Sequence, residues 1–176
     1  MSMQNHFELF HLPAQFAIEP AVLERAYHDV QSQVHPDRFS TASDAEKRVA
    51  MQWATRANEA YQTLKNPLKR AAYLCELHGV DLKIESNTAM PISFLTQQME
   101  WREALDEARG VGDLAALEVL DGELRTTRNT EVAQIASALD AGDYAAAALG
   151  VRQLMFVEKF GEEVVAMFEL LEQDPD

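Results

Sequence analysis

Apolar residues recur along most of this chain at the three- and four-residue spacing of amphipathic α-helices. A short first helix is predicted after Asn5 and is expected to end by Pro13. Glu19 and Pro20 then have the residue types of an N-cap and a first helical position. The helix that follows carries one apolar face, formed by Leu23, Ala26, Tyr27, Val30 and Val34. It is expected to stop before Pro36, because a residue that precedes proline is disfavoured in the α region.

A third and a fourth helix are predicted after a short interruption. The third is expected to start at a capping box formed by Ser43 and Glu46. Its apolar face consists of Val49, Trp53, Ala57, Ala60, Tyr61 and Leu64. Asn66 and Pro67 separate it from the fourth helix, after which Gly79 has the residue type of a C-cap. The fourth helix carries Leu68, Ala71, Leu74 and Leu77 on its apolar face.

The rest of the chain predicts three long helices joined by short turns. They are expected from Pro91 to about Arg109, from Leu114 to about Leu139, and after Gly142. The first has Phe94, Gln98, Trp101, Leu105 and Ala108 on one side. The second has Leu117, Leu120, Leu124 and Ile135, and the third has Leu149, Phe156, Phe160, Val164, Met167 and Leu171. Short turns make consecutive helices antiparallel, so this part predicts an antiparallel three-helix bundle.

The chain is therefore predicted to be all-α, with a helical unit at 1–79, a linker at 80–90 and the bundle at 91–176. Charge separates the two units, because the net charge is −1 over residues 1–79 and −13 over residues 80–176. An acidic surface disfavours nucleic acid and anionic membranes as partners, while it permits a basic protein partner. Solubility alone would also account for this charge.

Other features of the composition exclude several classes of protein. The single cysteine, Cys75, allows no internal disulfide, which is typical of a reducing compartment. No apolar run approaches the ~20 residues that a transmembrane helix needs, and the N-terminus lacks the pattern of a signal or transit peptide. We therefore expect a cytoplasmic protein that does not associate with membranes.

The sequence QVHPDRFST, at 33–41, places potential chemistry between the second and third helices. A short connection makes these helices antiparallel, so His35, Pro36 and Asp37 are expected at the exposed tip of a helical hairpin. Three interpretations are open: a helix-stopping turn with no further role, a binding site, or a small hydrolase that uses His35 and Asp37. A metal site is not predicted, because His28, His35 and Asp37 supply at most three ligands.

The whole arrangement resembles a J-domain. The matching stretches are HFELFHLP at 6–13, HPDRF at 35–39 and ANEAYQTLKNPLKRAAYLCELHG at 57–79. The short fourth helix, the linker and the acidic three-helix domain resemble the HscB type of J-domain co-chaperone, which serves iron–sulfur cluster assembly. The resemblance covers nearly the full length and implies a J-domain at 1–79 and a scaffold-binding domain at 91–176.

The resemblance implies that the hairpin tip binds a heat-shock-family ATPase chaperone of the HscA type. The chaperone-binding residues would be His35, Pro36, Asp37, Arg38 and Arg25. The protein would stimulate the ATP hydrolysis of this partner and would not itself be an enzyme. The helix before the tip departs from the basic pattern common in J-domains, because its positive charge is limited to Arg25 and the titratable His28. Arg38, Lys47 and Arg48 are then expected to carry more of the attraction.

The helix from Pro91 also has a second, smaller apolar area. At about 100° per residue, Leu95 and Met99 lie away from the buried side and among carboxylates. They could pack against a neighbouring helix, or they could form a partner surface with an apolar centre and a charged rim. The resemblance favours the second interpretation and implies an iron–sulfur cluster scaffold of the IscU type as the partner.

The scaffold-binding residues implied by the resemblance are Leu95, Thr96, Met99, Glu100, Glu103, Glu107 and Phe156. The hydrophobic pattern places Phe156 in the core, so its assignment stays open between core and interface. No metal or other cofactor is expected, because the scaffold would hold the cluster and Cys75 alone could not ligate one. The alternative function is that of a J-domain co-chaperone for a different client protein.

Overall fold

The computed structural model describes residues 4–82 and 90–173, and every regular element in them is a helix. The predicted linker at 80–90 therefore lies largely outside the described residues. The helices, besides a one-turn 3₁₀ helix at Pro36–Phe39, are α1 (His6–Leu9), α2 (Pro20–Val34), α3 (Asp44–Lys65), α4 (Pro67–Leu77), α5 (Ile92–Val111), α6 (Leu114–Asp140) and α7 (Tyr144–Glu172). They form two compact units, Met1–His78 and Gly79–Asp176.

Helices α2 and α3 form an antiparallel hairpin that is held in the middle by aromatic and polar contacts. The rings of Tyr27 and Tyr61 stack with centroids 4.2 Å apart. The Tyr27 hydroxyl donates to the Asn58 side chain at 3.2 Å and accepts from the Gln31 amide at 2.7 Å. The edge of the Phe10 ring meets Tyr27 from outside the hairpin. These contacts fix the two helices side by side and so fix the place of the tip between them.

Helices α1 and α4 close the first unit. Asn5 caps α1 with the reciprocal bonds of a capping box. Its side-chain oxygen accepts from the Glu8 backbone N–H at 2.8 Å, and the Glu8 carboxylate accepts from the Asn5 backbone N–H at 3.3 Å. The backbone N–H of His6 donates to the Tyr73 hydroxyl on α4 at 2.9 Å, and the two rings stack. Phe7 is completely buried beside Tyr73. Helix α1 ends at Leu9, four residues before Pro13, because the chain turns through His11 at a positive φ of 55°.

Some predicted apolar positions of the first unit are wrong. Val49, Trp53 and Leu77 are exposed, whereas the small residues of α3 and the neighbouring Cys75 of α4 are buried. The buried residues of α3 are Ala50, Ala57, Ala60 and Leu64. Alanines let the adjacent helices approach closely, so the larger side chains lie outside the contact.

The predicted capping box of α3 is only half formed. The Ser43 hydroxyl accepts from the backbone N–H of Glu46 at 3.2 Å, as expected for an N-cap. The Glu46 carboxylate, however, accepts from the Ser43 hydroxyl and not from the Ser43 backbone N–H. One of the two reciprocal bonds is therefore missing, although the start of the helix is where the sequence predicts it.

The second unit is a bundle of α5, α6 and α7 with two tight turns. Gly112 and Gly142 have positive φ angles of 66° and 73°, which most L-residues avoid and which let each helix end sharply. Asp113 and Asp143 follow these glycines and cap α6 and α7 through side-chain bonds to Ala116 and Ala146. In each turn, a glycine therefore ends one helix and the aspartate that follows it caps the start of the next.

The core of the bundle confirms the predicted faces of α5 and α6, but not the whole stripe of α7. The side chains of α5 and α6 that are buried include Phe94, Trp101, Leu105, Ala108, Leu117, Leu120, Leu124 and Ile135. On α7 the buried large residues are Val151, Leu154, Val157, Phe160 and Val164, while Phe156 is exposed. Helix α7 is apolar on several sides, so its pattern did not separate the buried face from the exposed one. None of the helices within 4–82 and 90–173 is long and apolar enough to cross a membrane.

Candidate functional site

The hairpin tip presents an imidazole and a carboxylate to solvent. His35 ends α2 and Pro36 begins the 3₁₀ helix, whose first turn is closed by the Arg38 N–H to the His35 carbonyl at 3.0 Å. The Asp37 backbone N–H donates to His35 Nδ1 at 3.3 Å. The side chains of His35 and Asp37 are 60% and 93% exposed. Hydrogen bonds within the tip therefore hold its backbone in place, while the Asp37 carboxylate remains exposed to solvent.

The predicted cations are placed differently around this tip. Arg38 lies within the 3₁₀ helix and is exposed. Arg25 is also exposed but lies ten residues before His35 on α2, about 15 Å along the helix axis. His28, between them, lies 3.7 Å from the carboxylate of Glu24. The structure thus brings Arg38 to the tip and leaves Arg25 more than two turns away.

In the second unit, α5 exposes two large apolar side chains. Leu95 is 43% exposed and Met99 is 66% exposed, so neither is covered by α6 or α7. Phe156 of α7 is 40% exposed, and its ring meets the edge of Phe94 with centroids 6.4 Å apart. Phe156 therefore contacts the buried Phe94 and also remains partly accessible to solvent.

These three side chains line one groove between α5 and α7. The groove has a volume of about 720 Å³ and is lined by Leu95, Gln98, Met99, Trp101, Arg102, Glu103, Phe156, Lys159, Phe160 and Glu163. Its floor is aromatic, because Trp101 and Phe160 stack with centroids 6.0 Å apart. An apolar floor with charged side chains at its edges is typical of a protein-binding surface.

The other predicted residues of α5 surround the groove. Thr96, Glu100, Glu103 and Glu107 are exposed. The Thr96 hydroxyl donates to the Ile92 carbonyl at 3.0 Å, so the side chain is held against its own helix. Of these four, Glu103 lines the groove. The structure therefore brings Leu95, Met99, Glu103 and Phe156 together, and places Thr96, Glu100 and Glu107 on the same helix outside the groove lining.

Three charged residues of the groove are not predicted by the sequence pattern. Arg102 bonds Glu163 at 2.8 Å and lies over the Phe160 ring at 5.2 Å, while Lys159 lies on the same side of α7. The available signal was the spacing of Phe156, Lys159, Phe160 and Glu163 at i, i+3, i+4 and i+7, which puts them on one face of α7. The predicted stripe of α7 contains only apolar residues, so it does not include Lys159 or Glu163.

The same residues offer little to catalysis or metal binding. His35 and Asp37 are exposed at the tip and do not lie in an enclosed cleft that would exclude water from a reaction. Across 4–82 and 90–173, no group of three or more His, Cys, Asp or Glu side chains is arranged to hold a metal ion. The arrangement instead offers two exposed surfaces, the tip and the groove, that suit protein partners.

A helical hairpin with an exposed His-Pro-Asp tip, joined to a three-helix bundle, defines a J-domain co-chaperone. The family model described as the HSCB C-terminal oligomerisation domain matches residues 90–165. The co-chaperone protein HscB homolog of Burkholderia thailandensis is 58% identical over 168 residues, which cover 96% of each chain. The corresponding protein of Burkholderia multivorans is 56% identical over the same shares.

Solved structures give the same result. The chaperone HscB from Vibrio cholerae is 37% identical, with a TM-score of 0.83 over 96% of this chain and 99% of that one. The human co-chaperone protein HscB is 28% identical, with a TM-score of 0.87 over 94% of this chain and 83% of that one. The chain belongs to the HscB family of co-chaperones. The predicted fold class, a J-domain followed by a three-helix bundle, is confirmed by these neighbours.

Proposed function

We propose that this co-chaperone binds an iron–sulfur cluster scaffold protein of the IscU type and delivers it to a heat-shock-family ATPase chaperone of the HscA type. The J-domain stimulates the ATP hydrolysis of that chaperone, and the protein catalyses no reaction itself. Family membership supports the role of co-chaperone, and the implied site residues supply the two binding surfaces. A single chain that binds both partners raises the effective concentration of one near the other.

The observation that carries the chaperone-binding half is the exposure of Asp37. Its side chain is 93% exposed, and its backbone is fixed by the bond to His35 Nδ1 and by Pro36. A carboxylate presented in this way can pair with a cation of the chaperone without a large ordering cost. The co-chaperone would stimulate hydrolysis by binding the hydrolysis-competent state of its partner more tightly than the other state. Arg38 supports this contact at the tip, and Arg25, Lys47 and Arg48 support it at longer range.

The observation that carries the scaffold-binding half is the groove between α5 and α7. Leu95, Met99 and Phe156 offer exposed apolar area over an aromatic floor, and Glu103 lies at the edge. Glu100, Glu107 and Thr96 extend the same surface along α5. The acidic rim favours a basic surface on the scaffold, and the apolar centre supplies most of the affinity.

An ATPase assay with the purified chaperone and scaffold tests the chaperone-binding half. The Asp37→Asn variant keeps the shape of the side chain but removes its charge, so we expect stimulation to be lost while scaffold binding and helicity are retained. Stimulation that persists in this variant would contradict the role of the tip. Turnover of any substrate by the co-chaperone alone would favour the hydrolase instead.

Scaffold binding is tested by calorimetry with Leu95→Ala combined with Met99→Ala. Central apolar contacts in an interface each contribute more than about 1 kcal/mol, so the affinity should fall by at least about tenfold. The matched control is Val119→Ala combined with Val165→Ala, which truncates two exposed apolar residues that do not line the groove. A wild-type protein that stimulates the chaperone but binds no scaffold would indicate a J-domain co-chaperone for another client.

A further inference from the structure

The groove between α5 and α7 is a short slot that lies between two side-chain contacts joining these helices. At one end, the rings of Phe94 and Phe156 meet. At the other end, Arg102 of α5 bonds Glu163 of α7 at 2.8 Å. Eight residues of α5 separate Phe94 from Arg102, which corresponds to about 12 Å along the helix axis. A slot of this length accommodates one or two apolar side chains of a bound segment.

The charges at the edges of the slot are not equivalent. Arg102 and Glu163 neutralise each other, and Arg102 is further held over the Phe160 ring. Glu163 is thus occupied by Arg102 and is not paired with Lys159, its neighbour four residues earlier on α7. Among the residues that the structure describes, neither Glu103 nor Lys159 has an ion-pair partner. Within the described part of the chain, Glu103 is therefore the unpaired anion that lines the α5 edge of the slot, and Lys159 is the unpaired cation that lines its α7 edge.

We propose that this pair of opposite charges orients the scaffold segment in the slot. A basic residue of the segment binds Glu103 on α5, an acidic residue binds Lys159 on α7, and the apolar side chain between them packs on the aromatic floor. Lys159 is then a specificity residue that lies outside the acidic rim of α5. The inference rests on the proposed scaffold binding and adds the direction in which the scaffold docks.

The charge balance of the surface supports a segment with both signs. A purely basic segment would pair with the glutamates of α5 but would place a positive charge next to Lys159. Such a like-charge contact lowers affinity, and interfaces use it to reject wrong partners. A purely acidic segment would be repelled by a domain of net charge −13 over residues 80–176. The occupant that fits both edges is a short apolar segment with a cation on one side and an anion on the other.

Reversing the charge at each edge of the slot distinguishes an effect of the charge positions on scaffold affinity from an effect of the net charge. Glu103→Lys and Lys159→Glu change the net charge by equal and opposite amounts, and the double variant keeps the wild-type net charge. If the two charges orient the segment, each single variant should bind the purified IscU-type scaffold about 3- to 10-fold more weakly. The double variant should then be weaker than either single variant, because the remaining contacts of the scaffold along α5 prevent the segment from reversing and both charge contacts become repulsive.

Affinities are measured by calorimetry at two salt concentrations, and thermal unfolding monitors the fold of each variant. The matched control for Lys159→Glu is Arg125→Glu, which changes the net charge equally on α6, a helix that does not line the slot. This control should leave scaffold affinity within about twofold of the wild-type value, since exposed charges outside the contact are screened by salt.

Two outcomes would overturn the inference while leaving scaffold binding in place. One is recovery of wild-type affinity in the double variant, which would mean that only net charge matters. The other is a Lys159→Glu variant that alters self-association in sedimentation without altering scaffold affinity, which would make a second copy of this chain the occupant. A wild-type protein that binds no scaffold would instead overturn the proposed function, and this inference with it.

Discussion

Asp37 contacts the His35 imidazole twice, because its backbone N–H donates to Nδ1 at 3.3 Å and its Oδ2 atom lies 3.5 Å from the same nitrogen. Nδ1 can accept this N–H only in the tautomer that carries the ring proton on Nε2. The imidazole therefore acts as the N-cap of the 3₁₀ helix that contains Asp37. The His35 side chain therefore both caps the backbone of the tip and presents an imidazole to solvent.

Two substitutions of His35 distinguish capping from docking. His35→Asn keeps a side-chain acceptor that can cap the Asp37 N–H, whereas His35→Ala removes both the acceptor and the ring. If the imidazole itself docks on the chaperone, both variants should lose stimulation of ATP hydrolysis, measured with purified chaperone. Stimulation that survives in His35→Asn and fails only in His35→Ala would show that capping is the whole role. Both variants should unfold within about 1 kcal/mol of the wild type, because the site is exposed.

Two glycines of α7 predict opposite effects of the same substitution. A Cβ atom on Gly150 would lie 2.7 Å from Cγ1 of Ile135, which is buried on α6, whereas nothing lies within 4 Å of a Cβ atom on Gly161. Gly161→Ala should raise the free energy of unfolding by about 0.5–1 kcal/mol through helix propensity. Gly150→Ala gains the same propensity but overpacks the contact between α6 and α7, at a cost of about 1–3 kcal/mol.

Urea unfolding followed by the fluorescence of the buried Trp101 measures this difference. Gly161→Ala serves as the internal control, since it changes the same helix in the same way without the steric contact. Equal stability of the two alanine variants would mean that Ile135 moves aside freely and that α6 and α7 are not closely packed at this level.

Glu131 of α6 predicts a pH dependence of the bundle. Partial burial raises the pKa of its carboxyl above the ordinary value of 4.5. The folded state then binds the proton more tightly than the unfolded state, so this group's contribution to stability is present at low pH and is lost as the pH rises from 4.5 through the raised pKa. The Gln153 amide, with its nitrogen turned toward Glu131, donates to both carboxylate oxygens at 2.9 and 3.2 Å and offsets part of the cost.

Substituting Glu131→Gln removes the ionisable group, so the variant should show a flatter stability profile above pH 4.5. Its control is Glu162→Gln, which neutralises an exposed carboxylate of α7 and should leave the profile unchanged in shape. Chemical unfolding at several pH values gives both profiles. If the free energy of unfolding changes with pH at the same slope in the wild type and in Glu131→Gln, Glu131 is not the group responsible.

His6 predicts the opposite pH dependence for the J-domain. Burial lowers the pKa of its imidazole below 6.5, Glu59 partly raises it and Arg56 lowers it further. The unfolded state then binds the proton more tightly, so stability from this group is present above pH 6.5 and is lost as the pH falls through the lowered pKa. The ring stacks on Tyr73 with centroids 4.4 Å apart, so protonation loosens the contact between α1 and α4.

Hydrogen exchange can follow this effect in the J-domain separately from the bundle. His6→Phe keeps an aromatic ring for the stack and removes the proton, so protection of α1 should no longer fall at acidic pH. His28→Gln, at an exposed position of α2, is the control and should retain the wild-type acid sensitivity of α1. Identical acid sensitivity in His6→Phe would mean that another group is responsible.

The sequence by itself determined where most helices begin and end, because those signals are local. Pro20, Asn66 with Pro67, and the Gly-Asp pairs at 112–113 and 142–143 set boundaries through backbone geometry and capping within a few residues. It also determined part of the buried face of α6, because the buried Leu117, Leu120 and Leu124 follow one another at three- and four-residue spacing. The exposed tip followed from these boundaries, since two helices joined through His35-Pro36-Asp37 must turn there.

Only the tertiary structure decided which faces meet. Alanines, and not Val49 and Trp53, form the contact of α3, because close approach of its neighbours favours small side chains. Helix α7 is apolar on several sides, and its neighbouring helices cover a face that leaves Phe156 partly exposed. The bond between Arg102 and Glu163, 61 residues apart, leaves Lys159 at the edge of the groove without an ion-pair partner among the described residues. Periodicity specifies the sides of one helix, but packing energy between distant segments selects the side that each neighbour covers.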